Sequence, residues 1–422
     1  MFKLLGARRF GPLFATQFLG AFNDTLYRIA MLFLITYRLM GDDPAGGAQM
    51  VAIASGIFIL PFFLFSAVAG QLSDAIDKAR VVRAVKAAEI AIMAVGAAGL
   101  ILGNVPLLMV ALFAMGTHSA FFGPVKYAIL PQHLADRELL AGTGLVEAGT
   151  FVAILAGQIV AGLLSEQQAA LGVLIVACLG LLAGRRVPSA PAAEPVRVDW
   201  NIARASLRVI REVTADRKLT LAMLGVSWFW AVGAVLTSLF VPLVKGELHA
   251  SESVATALLC VFSIGIAVGS LAANRLLNGR VSARFAPWAA AAMTVCLADL
   301  YLATGGRAPL PSGVLLGAVE FMATPGAWRI ALDLLGLSLA GGVFVVPLYA
   351  MLQRGACPSE RAQVIAANNI VNSGFMVAAS LGATAMIGQG FAIRDVLVAL
   401  AVLNLGAIAV SLALGRVERQ PV

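Results

Sequence analysis

The stretch Gly70-Gln-Leu-Ser-Asp74-Ala-Ile-Asp77-Lys78-Ala-Arg80 separates two apolar runs, at residues 50–72 and 81–102. Each run holds roughly the 20 apolar residues that a helix needs to cross the hydrocarbon core of a bilayer. The stretch between them carries charges of both signs, which belong at a membrane surface. The two runs are therefore predicted to be consecutive membrane-spanning helices joined by a charged loop.

The composition extends this prediction to the whole chain of 422 residues. Sixty per cent of the residues are apolar, 12% are charged, and the mean hydropathy is +0.91. Soluble domains are typically about 45–50% apolar and about 25% charged, which excludes an ordinary soluble enzyme, a disordered chain and a secreted disulfide scaffold. The four cysteines form no CxxC pair and the three histidines are scattered, so we expect no disulfide, no metal site and no cofactor.

Twelve apolar runs are long enough to span a membrane, six on each side of a basic linker at residues 185–218. The sequence thus predicts an all-α membrane protein with two six-helix domains, residues 1–184 and 219–422, joined by a cytoplasmic linker. The predicted spans are residues 11–37, 50–72, 81–102, 106–127, 143–164, 169–184, 219–243, 253–276, 286–304, 329–352, 364–387 and 396–415.

The charge distribution predicts the topology. With the N-terminus inside, the inner loops and the linker carry 24 of the 30 Lys and Arg residues, and the outer loops carry five. This asymmetry follows the positive-inside rule, so both termini are expected to be cytoplasmic. The net charge of +8 is attributed to this topology, and no nucleic-acid partner is expected. The alternation of basic inner loops with outer loops favours a segment on the outer membrane surface at residues 307–328. A thirteenth span there would instead reverse the orientation of all later helices.

The two halves share a short repeat. The fourth span ends in Pro124-Val-Lys-Tyr-Ala-Ile-Leu130 and the tenth ends in Pro347-Leu-Tyr-Ala-Met-Leu352, which match with a one-residue gap. Parallel repeats mark the two halves of major facilitator transporters. The charged loop also resembles the conserved loop of that superfamily, Gly-x3-Asp-x2-Gly-Arg/Lys-x-Arg/Lys, with Asp77 in place of the second glycine. The resemblance implies a major facilitator fold with two pseudo-symmetric halves.

The loop predicts a gating latch on the cytoplasmic side. Gly70 would let two helices approach closely. Asp74 would pair with basic groups or lie near a helix N-terminus, and Lys78 and Arg80 supply basic positions. The alternative is a generic charged loop.

The first span carries the stretch Phe22-Asn23-Asp24-Thr-Leu-Tyr-Arg28. A carboxylate near the middle of a span costs about 3 kcal/mol on insertion scales, so Asp24 should face a cavity or a partner. Arg28 lies one turn further on the same helix face. Asn23, Asp24 and Arg28 are therefore candidate substrate-binding residues, and the alternative is a purely structural Asp24–Arg28 pair.

The fourth span contains His118, the pair Gly123-Pro124, Lys126 and Tyr127. Gly123-Pro124 should bend or loosen the helix near its inner end. Lys126 would then either extend to the membrane interface or place a cation in a central cleft that binds a phosphate. His118 is either a satisfied polar residue or a ligand.

These two segments resemble the lysophospholipid transporter family, through Phe22-Asn23-Asp24 and Pro124-Val-Lys-Tyr127. Some members of that family are fused to an acyltransferase and acyl-carrier-protein synthetase. The resemblance runs from about residue 10 to residue 414. It implies a protein of the bacterial inner membrane that moves lysophospholipids from the outer to the inner leaflet, where a separate acyltransferase reacylates them.

The resemblance also implies functional residues. Asp24 and Lys126 match charged positions that some members place in the cleft. The stand-alone members carry an arginine in span seven and a glutamate in span eleven, where this chain is neutral near Thr237 and Val371. Candidate replacements and further cleft or gate positions are Glu147, Trp228, Trp230, Asn369, Asn372, Arg329 and Asp333. The last two share a helix face and either gate the cleft or simply pair.

A cleft with one carboxylate and one lysine would satisfy the ammonium and the phosphate of lysophosphatidylethanolamine. Membrane lipids would surround the acyl tail, and the two halves would rock around the site in alternating access. The alternative is a proton-coupled drug or small-solute antiporter in which Asp24 or Glu147 carries the proton. No Gly-x-Ser-x-Gly, metal cluster or phosphate-binding loop is present, so the chain is not expected to be an enzyme.

Overall fold

The computed structural model describes residues 1–40, 44–194, 197–305 and 315–419. Over these ranges the chain is helical and contains no β-strand, only an isolated bridge between Ala250 and Leu316. The α-helices are α1 Gly11–Phe33, α2 Pro44–Ala75, α3 Lys78–Leu102, α4 Val105–His133, α5 Asp136–Leu163, α6 Glu166–Arg185, α7 Ile202–Ala215, α8 Arg217–Gly246, α9 Glu252–Leu276, α10 Ala286–Thr304, α11 Ala318–Ala323, α12 Ala327–Gly355, α13 Arg361–Gly388 and α14 Asp395–Arg419.

Twelve of the described helices, all except α7 and α11, are long and apolar enough to cross a membrane. Each predicted span falls on one of them, so the predicted fold class is confirmed. Several helices are longer than their apolar cores. α1 continues as a π-helical turn over Leu34–Leu39, and α4 continues to His133 through Pro124 and Pro131. The prolines therefore do not end α4, and Lys126 lies within the helix, seven residues before its last residue.

The chain divides into two compact units. The first comprises residues 1–216 and 352–373, and the second comprises residues 217–351 and 374–422. The end of α12 and the first half of α13 thus pack with the first unit.

In the first unit α1 packs on α5 and α6, α2 packs on α4, and α3 packs on α4 and α6. Its apolar centre includes Tyr27, Met31, Met93 and Leu112, all fully buried. The Tyr27 hydroxyl donates to the Leu108 carbonyl at 2.9 Å, so burial of this phenol leaves no unpaired donor.

In the second unit α14 packs on α8 and α10, and α8 packs on α9. Asn404 of α14 joins three helices from a fully buried position. Its Oδ1 accepts from Trp228 Nε1 at 2.7 Å, and its Nδ2 donates to the Ala290 carbonyl and to Thr294 Oγ1. Trp228 therefore packs within this unit as part of a polar network.

The predicted linker is more ordered than its polar composition indicates, because it contains α7. This helix buries Ala205, Val209 and Val213, spaced four residues apart, and packs on α2. Of the predicted outer segment 307–328, residues 307–314 lie outside the described residues. The remainder contains α11.

Candidate functional site

Asp24 of α1 faces α4. Ser119 Oγ donates to Asp24 Oδ2 at 2.6 Å, while Oδ1 has no hydrogen-bond partner within the described part of the chain. Asp24 and Arg28 form no ion pair within 4 Å of each other there, but the two side chains interact electrostatically over a longer distance. The Arg28 guanidinium instead lies 5.4 Å from the centre of the Phe58 ring. Both charged residues are half-buried.

Lys126 lies near two carboxylates on neighbouring helices. Tyr127 donates its hydroxyl hydrogen to Oε1 of Glu147, a fully buried residue of α5. The half-buried Lys126 lies over the Tyr127 ring, 4.8 Å from its centre, and interacts electrostatically with Glu147 and Asp24. The structure thus brings three predicted residues, Asp24, Lys126 and Glu147, into one charged region of the first unit.

Asparagines of α13 border the same end of α4. A β-carbon on Gly123 would lie 3.0 Å from Asn369 Nδ2, which shows how closely the two helices approach. Asn369 is half-buried and Asn372 is buried. The adjacent Asn368 is fully buried, and neither of its side-chain polar atoms has a hydrogen-bond partner in the described ranges. Asn368 was not among the predicted site residues.

A second charged cluster, which the sequence did not predict, lies beside Asp24. Lys86 Nζ donates to Glu89 Oε2 at 2.6 Å, and Asn23 Nδ2 donates to Glu89 Oε1 at 2.8 Å. His118 Nε2 lies 3.3 Å from Glu89 Oε2. All four residues are buried, and Lys86 has no exposed surface. The count of 24 inner-loop charges includes Lys86, but Lys86 lies inside α3.

Glycine makes room for this lysine. A β-carbon on Gly20 of α1 would lie 2.6 Å from Lys86 Nζ, and the Lys86 side chain also borders two glycines of α6. Residues of this cluster are direct sequence neighbours of residues in the candidate site. Asn23 and His118 contact Glu89. The residues that follow them in the sequence, Asp24 and Ser119, form a hydrogen bond with each other. Glu89 therefore contacts both α1 and α4 beside Asp24.

The charged loop binds the N-terminus of α13. Asp74 accepts hydrogen bonds from the backbone N–H groups of Ala362 and Gln363, at 3.2 and 3.0 Å, and pairs with Lys78 at 3.5 Å. Both charged side chains are fully buried. The free N–H groups of a helix N-terminus favour a carboxylate. At Gly70 a β-carbon would lie 2.7 Å from Ala366 Cβ, so only glycine permits this approach of α2 and α13.

Asp77 needs no glycine-like backbone, because its φ is −57° and it caps α3 by accepting from Ala79 N at 2.8 Å. It also holds the linker. Ser189 Oγ and Ala190 N donate to its carboxylate, and Lys78 N donates to the Ala190 carbonyl. Burial would raise the pKa of Asp77, but these hydrogen bonds hold that pKa below its usual range. Arg80 is exposed.

The predicted residues of the second unit have other neighbours. Trp230 Nε1 donates to the Tyr349 hydroxyl at 2.8 Å. Arg329 binds both carboxylate oxygens of Asp299 on α10. The ion pair of Arg329 is thus with Asp299, while Asp333, its predicted partner or fellow gate residue, interacts with it electrostatically. Asp333 is nearly buried and its Oδ2 has no hydrogen-bond partner in the described ranges. The same ranges contain no group of three His, Cys, Asp or Glu side chains that could hold a metal ion.

The sequence model of the Major Facilitator Superfamily matches residues 13–381, most of the chain. The chain therefore belongs to this superfamily of membrane transporters, and it is a multi-pass membrane protein. Solved structures of the same fold include the human organic anion transporter MFSD10, at a TM-score of 0.76 and 15% identity, covering 96% of this chain and 99% of that one. A bacterial homologue of the iron transporter ferroportin in its outward-facing state gives a TM-score of 0.70 at 14% identity, covering 96% and 98%. At such identities the likeness shows the fold alone.

Relatives by sequence are more specific. The lysophospholipid transporter LplT of Serratia proteamaculans is 30% identical over 364 residues, which are 84% of this chain and 82% of the relative. The transporter of the same name from Enterobacter sp. is 29% identical over 366 residues, covering 84% and 83%. Within the superfamily, the chain thus belongs to the lysophospholipid transporter family.

Proposed function

We propose that this protein carries lysophospholipids, such as lysophosphatidylethanolamine, from the outer to the inner leaflet of a bacterial inner membrane. In this proposal it works by alternating access, both termini are cytoplasmic, and a separate acyltransferase or acyl-carrier-protein synthetase consumes the product. The substrate class is supported by the relatives, which are lysophospholipid transporters and match most of the chain.

The observation that carries the proposal is the pair of opposite, half-buried charges on α1 and α4. Asp24 keeps one carboxylate oxygen without a hydrogen-bond partner in the described ranges, and Lys126 lies in electrostatic range of it. A zwitterionic headgroup has a phosphate for the lysine and an ammonium for the carboxylate. Glu147 is fully buried and accepts a hydrogen bond from Tyr127. Its role in this proposal is to balance the charge of Lys126 when no substrate is bound.

The test uses cells that lack their own lysophospholipid uptake. Labelled lysophosphatidylethanolamine is supplied from outside, and its conversion to diacyl lipid is followed over time. A hydrogen bond to a charged group contributes about 1.5–3 kcal/mol, so Asp24→Ala and Lys126→Ala should each lower uptake at limiting substrate about 10-fold or more. Lys126→Arg, which keeps the charge, should retain more uptake than Lys126→Ala, and the exposed Arg280→Gln should change nothing. Unchanged uptake in both alanine variants, with insertion verified, would refute the proposal.

A protonophore separates this function from its rival. Conversion that requires the protein and survives the protonophore supports facilitated movement driven by reacylation. If inserted protein gives no conversion but exchanges other solutes for protons, it is instead a proton-coupled drug or small-solute antiporter. In that case Asp24→Asn or Glu147→Gln should abolish the proton exchange.

A further inference from the structure

α7 begins at the level of a membrane surface, because a residue that precedes it is held at the end of a spanning helix and a second span follows it in the chain. Before its start, Asp199 N donates to Gln71 Oε1 at 2.7 Å, and Gln71 is four residues from the end of α2. After its end, Asp216 alone precedes α8, which is itself a span. A helix of 14 residues is about 21 Å long, too short to cross a hydrocarbon core of about 30 Å, so α7 follows the surface at which α2 ends.

The helix has two different faces. Ala205, Val209 and Val213 are buried against α2. Arg204, Leu207 and Arg211, spaced three and four residues apart, form the opposite face, and all three are exposed. Leu207 is 71% exposed and Trp200, just before the helix, is 69% exposed. The packing of the described residues thus leaves two large apolar side chains among arginines.

Charge on this surface is not balanced by its own carboxylates. Arg204 pairs with Asp199 at 2.6 Å, and Arg208 lies 3.6 Å from Glu212. Arg197, Asp199, Trp200, Arg204 and Arg208 line an open recess before and along the first turns of the helix. Arg197 and Arg211 are exposed and have no acidic group within 4 Å in the described ranges. Four arginines therefore face two carboxylates.

We propose that the α7 face, comprising Arg197, Trp200, Arg204, Leu207, Arg208 and Arg211, binds anionic phospholipid headgroups of the leaflet that it borders. Trp200 and Leu207 enter the headgroup layer, and the arginines bind phosphates. The neighbouring helix supports a lipid over a soluble partner. α2, on which α7 packs, carries exposed apolar side chains such as Leu60 and Phe63 and so borders lipid itself. The inference holds for any transported substrate.

The experiment uses the full-length protein in nanodiscs of phosphatidylcholine with 30 mol% phosphatidylglycerol. In one sample the phosphatidylglycerol has brominated acyl chains, and in the other an equal mole fraction of the phosphatidylcholine has them. Tryptophan quenching is measured in each, and the contribution of Trp200 is isolated by subtracting the Trp200→Phe variant. We expect Trp200 to be quenched more strongly by brominated phosphatidylglycerol than by brominated phosphatidylcholine.

The arginines should account for this preference. Each basic residue near an anionic surface is worth about fivefold in binding, so Arg197→Gln/Arg211→Gln should remove most of the preference, as should 0.5 M salt. The matched control Arg275→Gln/Arg280→Gln removes two exposed arginines elsewhere and should keep it.

Two results would overturn the inference. Equal quenching by both brominated lipids would show contact without headgroup selection. Absence of quenching by either lipid would place the α7 face away from the bilayer, and binding of a soluble polyglutamate probe to it would then assign the face to an acidic protein.

Discussion

Replacing Glu89 by glutamine would leave Lys86 inside the first unit without the carboxylate that it pairs with directly. The side chain keeps its shape and an oxygen that can accept from Asn23, so the change is mainly one of charge. Lys86 has no exposed surface and lies in a slot formed by glycines of α1 and α6, which gives its ammonium group no direct path to water.

The size of the expected destabilisation follows from the burial of both Lys86 and Glu89. Removing one member of a buried ion pair typically costs about 3–5 kcal/mol, whereas replacing both members by neutral groups is often close to neutral. We therefore expect Glu89→Gln to destabilise the protein by about 3–5 kcal/mol. The double variant Lys86→Met/Glu89→Gln should recover most of this loss, because methionine fills the slot without a charge.

The stability of the parent, of both single variants and of the double variant is measured in detergent, by heating and by titration with a denaturing detergent. The four values give the coupling energy between Lys86 and Glu89. Glu166→Gln is the matched control, since Glu166 pairs with Arg38 at 3.2 Å on the exposed surface. Such surface pairs contribute about 0–1 kcal/mol. If Glu89→Gln costs no more than Glu166→Gln, or if the second substitution restores nothing, the reasoning about the buried pair is wrong.

Three further changes test other parts of the first and second units. Gly70→Val should break the approach of α2 to α13 and lower both stability, by about 1–3 kcal/mol, and uptake. Gly56→Val on the same helix has open space around it and should change little, as melting and uptake assays of both would show. Asp77 has a lowered pKa in the folded protein, so its contribution to stability is present above its unfolded pKa, about 3.9, and is lost as the pH falls through the folded value. The melting temperatures of the parent and Asp77→Asn should thus differ at pH 7 and converge below about pH 4; a constant difference would contradict this account. Asn404→Leu should cost about 1–3 kcal/mol, because the N–H of the half-buried Trp228 loses its acceptor and the buried Asn404 is lost from the network; a chemical unfolding series with no loss would show that the network is not needed.

The twelve spans could be predicted because hydropathy and length alone determine them. Side-chain partners could not be predicted, because only helix packing decides such contacts. Asp24 and Ser119 lie 95 residues apart in the sequence, and Arg329 and Asp299 lie 30 apart. Two local signals were available in the sequence. Lys86 and Glu89 have the three-residue spacing of a helical ion pair, and the four-residue spacing of Ala205 and Val209 indicates the buried stripe of α7.

The position of Lys86 has a consequence for how the chain enters the membrane during synthesis. Lys86 lies eight residues after the start of α3, about 12 Å along the helix. Its slot is complete only once Gly180 and Gly184 of α6 have been made, roughly a hundred residues later. At about 5–20 residues per second, the ribosome needs roughly 5–20 s for that interval. During this time α3 carries Lys86 and Glu89 with only α1 and, once it has been made, α4 to shield them. We therefore expect the insertion machinery to retain the spans that precede α6, rather than release them into lipid one at a time, until α6 arrives.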